Sequence, residues 1–225
     1  MEGKGLKSVV QQRSGKKGAP YLYLFAGDGG RSVVEAVKRK NDNAAAEYNL
    51  ICIEVERWND LLSPWKAPPV FGKEGFGGGG IETLEWIRTK CIPDTEGKNW
   101  EANRRIIGGY SLAGLFSLWA FYESGLFEGA ICCSGSLWFP LWDEYIKGRQ
   151  GTLGGKVYLS LGDREENTRN QQMKTVGERT RRQIELLQKD KAIQKATLEW
   201  NAGGHFQETN ARVARGICWM LEAMK

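Results

Sequence analysis

Histidine is nearly absent from this chain: His205 is the single one in 225 residues. One imidazole and five dispersed thiols cannot assemble a Cys/His zinc site, so no metal is expected, and no cofactor. The cysteines are Cys52, Cys91, Cys132, Cys133 and Cys218. Their number is odd, no C-x-x-C pair occurs and several sit in apolar runs, so buried free thiols are the simplest account and a reducing compartment is expected. No stretch approaches the ~18 consecutive apolar residues of a membrane helix. The first residues, Met1-Glu-Gly-Lys-Gly-Leu-Lys-Ser8, hold no apolar core of signal-peptide length. A soluble cytoplasmic protein without a membrane partner is expected. Nucleotide-binding glycine loops are missing too. The run Gly27-Asp-Gly-Gly-Arg-Ser32 lacks the third glycine of G-x-G-x-x-G, and no G-x-x-x-x-G-K-[ST] occurs. Charge of one sign is scarce: 32 basic against 27 acidic residues leave +5. The densest basic run, Arg179-Thr-Arg-Arg182, falls in a polar helical stretch and reads as a solvated face, so no nucleic-acid partner is expected.

What is present fits a single globular domain over residues 1–225, with a sizeable core for its length. Short β-rich runs alternate with helical ones. Tyr21-Leu-Tyr-Leu-Phe25 reads as a buried strand, followed by a helix over 31–40 with Ser32 as its N-cap. Strands follow at 50–55, 105–109, 129–133, 156–161 and 196–200. Helices are predicted over 80–91, ended by Pro93, and over 112–122, ended by Gly125. Two more are predicted over 168–190 and 209–224. An additional edge strand is placed around 6–11. Six strands separated by helices call for a mostly parallel central sheet with helices on both faces, an α/β fold.

Three segments carry chemistry. Gly109-Tyr-Ser-Leu-Ala113 lies between a strand and a strongly apolar helix. It matches the G-x-S-x-G turn with alanine in the last place, a bend that thrusts a serine hydroxyl out of the sheet. Ser111 is the candidate nucleophile; the bland alternative is a helix cap. Ala-Gly-Gly-His205 follows the last strand, where glycines let the backbone approach the serine. If Ser-His chemistry occurs, His205 is the base. The order nucleophile, acid, histidine places the acid between them, in the loop Gly162-Asp-Arg-Glu-Glu-Asn167, where Asp163, Glu165 and Glu166 compete. In α/β-hydrolases the acid falls about three residues beyond a strand-terminal glycine, which selects Glu165. An oxyanion would be held by the N–H of Leu112 and one from the loop after strand 21–25, where Gly30 is preferred and Gly29 is second. Arg57, Trp58 and Trp65 follow one strand's C-terminal end and Trp138 another. They are candidate substrate-binding residues, with packing under long loops the even alternative.

Together these segments resemble the esterase family of α/β-hydrolases that includes siderophore (enterochelin-type) esterases, feruloyl esterases and S-formylglutathione hydrolases. The resemblance spans roughly residues 20–224. It rests on Tyr21-Leu-Tyr-Leu-Phe25 leading into Asp28-Gly29, on Gly109-Tyr-Ser-Leu-Ala-Gly-Leu115, on Ser134-Gly-Ser-Leu-Trp138, on the acidic loop after Leu161, and on Gly203-Gly-His-Phe206. It implies an α/β-hydrolase fold and hydrolysis of a small-molecule carboxylic ester by Ser111, His205 and Glu165 through an acyl-enzyme. Ala113 departs from the more usual glycine, and Glu165 from the commoner Asp. The chain has no room for the extra N-terminal module of some siderophore esterases, which weakens that substrate assignment. A thioesterase or acyltransferase would use the same residues, and a non-catalytic hydrolase-like binding protein would keep only the fold.

Overall fold

A computed structural model describes residues 5–14, 16–40, 47–97 and 100–225. Its centre is a seven-stranded sheet built from β1 (Leu6–Gln12), β2 (Tyr21–Phe25), β3 (Asn49–Val55), β6 (Arg105–Tyr110), β7 (Gly129–Cys133), β8 (Gly155–Gly162) and β9 (Ile193–Asn201). The spatial order is β1-β3-β2-β6-β7-β8-β9. Only β1 runs antiparallel, against β3; the other neighbours are parallel. The two-residue strands β4 (Lys66–Ala67) and β5 (Phe76–Gly77) pair apart from it.

Strands buried on both faces need helices on both. Every residue of β7 and β8 is buried. On one face α1 (Arg31–Lys40) and α8 (Thr209–Ala223) pack against each other. They close a cluster built from Val33, Val37, Leu50, Ile131, Ile217 and Met220. On the other face lies α5 (Leu112–Ser124), whose first ten residues are all buried. A helix apolar all round must be covered all round. The sheet covers one side of α5, while α3 (Gly80–Trp86) and α7 (Val176–Lys189) belong to the same side of the molecule. Gly216 lets α8 approach closely, since a Cβ there would meet Ile131 Cγ2 at 2.6 Å.

Three sequence expectations change. Pro93 does not end the helix at 91. A π-helical turn, Ile87–Cys91, follows α3 and leads into α4 (Ile92–Glu96), with Pro93 in its first turn. Proline lacks an N–H, and the first turn of a helix needs none. The helix expected from 168 begins only at Val176. Before it, Asn170 Oδ1 accepts the N–H groups of Gln172 and Met173 at 3.0 Å each, capping a separate 3₁₀ turn, Met173–Thr175. Such side-chain bonds offer the backbone an alternative to the helix. Ser32 lies inside α1 rather than capping it. The cap is Asp28, whose carboxylate accepts from the Gly30 and Ser32 N–H groups and from the Ser32 hydroxyl.

Strand register sets up the site. Tyr110 lies opposite Cys133, Cys133 opposite Ser160, and Gly162 opposite Asn201. The C-terminal ends of β6 and β7 are therefore level, and β8 and β9 run two residues further. Their following loops meet along one edge, where open parallel sheets bind ligands. The remaining short helices, α2 (Trp58–Leu61) and α6 (Trp142–Ile146), sit in loops at β3 and β7.

Candidate active site

Ser111 occupies the bend between β6 and α5 with φ 60° and ψ −122°. A non-glycine residue held there is strained, and such strain persists only where the surroundings impose it. Gly109 is one reason it can form. A Cβ at 109 would lie 2.6 Å from Ala113 Cβ and from its carbonyl carbon. Alanine at 113 is accommodated because 109 has no side chain, so the departure from glycine leaves the elbow intact. The Ser111 N–H bonds Cys133 O at 3.0 Å, tying the bend to β7.

The loops after β8 and β9 bring Glu165 and His205 to this serine. His205 Nε2 lies 2.9 Å from Ser111 Oγ, and Nδ1 lies 2.6 Å from Glu165 Oε2. Burial pushes the Glu165 carboxyl up. Hydrogen bonding to His205, its charge, and the Ser134 and Gly162 donors outweigh that, holding it below the ordinary glutamate range. An ionised carboxylate only accepts, so Nδ1 carries the ring proton and Nε2 is left to accept from the serine hydroxyl. The two loops are fastened together: Asp163 N–H donates to Asn201 O, Arg164 N–H to Gly203 O, and Gly203 N–H to Asp163 Oδ1 at 2.8 Å. Asp163 is thus a loop clasp, and Glu166 pairs with Arg181 at 3.0 Å. Neither reaches His205 as its carboxylate partner.

Sequence reading missed the groups beneath. Arg212 of α8 is fully buried. Its Nη1 donates to Glu165 Oε1 at 2.8 Å, to Ser134 Oγ at 3.0 Å and to the Tyr110 hydroxyl at 3.1 Å. Its Nη2 donates to the carbonyls of Ala202 and Gly204. The Tyr110 hydroxyl in turn donates to His205 O at 2.7 Å. One signal was present: Arg212 stands on the apolar face of α8, a turn before Gly216 and two before Met220. A charged residue there needs a buried partner. Ser136 lies within the Ser134–Trp138 segment that carries the resemblance, and its hydroxyl lies 3.4 Å from Ser111 Oγ.

The site opens on a cavity of about 370 Å³ bordered by Phe25, Ala26, Gly27, Trp58, Ser111, His205 and Phe206. Leu112, the first residue of α5, has its N–H free of the helical ladder, as every helix start does. Gly30, the preferred second donor, has its N–H on Asp28 Oδ1 at 2.9 Å and does not border the cavity, whereas residues 26–28 do. Gly29 is likewise off the cavity wall. Of the four aromatic and basic candidates only Trp58 borders the Ser111 cavity. Arg57 faces a neighbouring cleft, beside Asp60 and Glu74. Trp65 donates its indole N–H to Pro140 O at 3.0 Å and packs on Phe139 and Tyr145. Trp138 is buried edge-on against Phe71 and tilted against Phe76. Both rings fasten loop 57–79 to the segment after β7. Phe206, by contrast, is 91% exposed with its ring edge-on to His205.

All five cysteines are free, and four are buried. Among the described residues no three His, Cys, Asp or Glu side chains converge as metal ligands. None of the described helices is long and apolar enough to cross a membrane.

This fold is that of the α/β-hydrolases. No family model matches the sequence, and no curated protein does. Solved structures do match in shape. The siderophore hydrolase EstA from Aspergillus nidulans superposes with a TM-score of 0.71 at 18% identity, covering 98% of this chain and 95% of that one. An IroE-like serine hydrolase from Shewanella oneidensis gives 0.73 at 16% identity, over 96% of this chain and 75% of its own. The carboxylesterase of Bacillus cereus gives 0.62 at 16% identity, over 97% and 94%. At these identities the likeness is one of fold.

Proposed function

We propose that this chain is a serine hydrolase of carboxylic esters. The observation that carries the proposal is the continuous hydrogen-bonded line Ser111 Oγ, His205, Glu165, ending at a cavity. In this reading His205 Nε2 takes the proton of Ser111 as Oγ attacks the ester carbonyl. The developing oxyanion meets the N–H of Leu112 and one from residues 26–28. His205 then gives its proton to the departing alcohol, and an acyl-enzyme remains. Water deprotonated by His205 attacks the acyl carbon and frees Ser111. Glu165 stays ionised throughout and stabilises the imidazolium.

The His205 side chain is 27% exposed, so water can reach the base. The cavity volume suits one compact acyl group. Siderophore hydrolases and a carboxylesterase share the fold, so siderophore esters and simple aryl or short-chain esters form the first panel. The test is hydrolysis of a short p-nitrophenyl ester. Ser111→Ala should lower kcat/KM by about 10⁴-fold or more with the unfolding midpoint unchanged. Activity retained by that variant would remove Ser111 from its role.

A further inference from the structure

Glu165 uses its two oxygens differently. Among the described residues, Oε2 has His205 Nδ1 as its hydrogen-bond partner. Oε1 takes three donors: the Ser134 hydroxyl at 2.7 Å, the Gly162 N–H at 2.7 Å and Arg212 Nη1 at 2.8 Å. Of these, Arg212 alone carries charge, and it alone also reaches the histidine loop, through the carbonyls of Ala202 and Gly204. The same guanidinium donates to the Tyr110 hydroxyl, which holds His205 O. One buried side chain thus grips the acid, the end of the strand leading to the nucleophile, and the backbone leading into the base.

We infer that Arg212 is a positioning residue for the proposed Ser111–His205–Glu165 machinery, an inference that rests on the esterase reading. Its planar guanidinium ties two segments together: Nη1 holds Glu165 Oε1, which leaves Oε2 presented to Nδ1, and Nη2 holds the carbonyls of Ala202 and Gly204 just before the base.

The experiment compares wild type, Arg212→Lys, Arg212→Met and Ser134→Ala on one p-nitrophenyl ester, with folding followed by thermal unfolding. Arg212→Lys keeps the charge and loses the planar spread of donors. Its kcat should drop ~10- to 100-fold, as for a catalytic group displaced by an ångström, with KM within about twofold. Arg212→Met should lose at least as much kcat, again with KM nearly constant. Ser134→Ala removes a neutral donor that reaches Glu165 alone, so its loss should be smaller. Should Arg212→Met fail to fold, the kcat loss at constant KM in Arg212→Lys decides. A folded Arg212→Lys with wild-type kcat overturns the inference. So does a loss confined to KM or proportional to the unfolded fraction. An inert wild type would instead sink the esterase reading, and the inference with it.

Discussion

Two buried arginine–glutamate pairs stand at opposite ends of the sheet. At the N-terminal end of β6, Arg105 grips Glu96 with both prongs, Nε to Oε1 and Nη2 to Oε2, at 2.7 Å each. The Tyr23 hydroxyl and Asn103 complete that carboxylate. At the C-terminal end, Arg212 and two neutral donors crowd one oxygen of Glu165 and leave the other to His205. Both carboxylates are buried, at 0% and 4% exposure. Burial of an ion pair therefore does not mark a functional site in this molecule. What distinguishes the upper pair is the oxygen kept for an imidazole beside a strained serine and a cavity. The lower pair, joined by Tyr23 and Asn103, holds α4 to the sheet.

Removing each carboxylate should separate these roles. Glu165→Gln should cut kcat/KM by roughly 10²- to 10⁴-fold while the protein still folds, since an amide no longer fixes the tautomer. Asp163→Asn should leave most activity. The reverse outcome in a pair of kinetic assays would move the acid to Asp163. Glu96→Ala should do the opposite. Activity per folded molecule should be unchanged, and denaturant unfolding should show a loss of ~3–5 kcal/mol as Arg105 loses its buried carboxylate. Trp138→Ala should also act on stability, by ~3–5 kcal/mol for a large buried ring. A change in acyl preference at unaltered stability would return Trp138 to the substrate-binding set.

Acid should expose a third, weaker pair. Hydrogen bonds from Arg104 hold the Glu128 carboxyl down to about 2, with Lys156 assisting against the opposing effect of burial. Its folded value lies below the ordinary one, so its contribution is present above pH ~4.5 and is lost as pH falls toward 2. Urea midpoints taken from pH 6 to pH 2.5 should therefore fall less steeply in Glu128→Gln than in wild type. Equal slopes would contradict the assignment. The smallest effect is expected at the cavity mouth. Phe206→Ala should raise KM for aryl esters about 3- to 10-fold, an aromatic contact's worth, with kcat nearly constant. A loss equal for aryl and acetyl esters would mean that Phe206 only supports His205.

What was readable in the sequence was local. The G-x-S-x-A bend, the glycines before His205 and the strand-terminal glycine before Glu165 are each spelled by neighbours along the chain. Strand order follows once the loops are known to meet. At Gly30 the neighbour Asp28 matters more than the lack of a side chain. The Gly30 N–H donates to the Asp28 carboxylate that caps α1. Trp65 and Trp138 take the packing alternative, since an aromatic after a strand can turn inward as easily as toward ligand, and here both pack between loop 57–79 and the segment after β7. Arg212 was hidden because its partners lie on four other segments, at Tyr110, Ser134, Glu165 and residues 202–204, far apart in the chain.

The most direct measurement is a fluorophosphonate reaction followed by intact mass and peptide mapping. Activation of Ser111 by His205 predicts one adduct, on the Ser111 peptide, absent in Ser111→Ala and strongly slowed in His205→Ala. A folded wild-type protein that stays unmodified, or that is modified at another side chain, would contradict it.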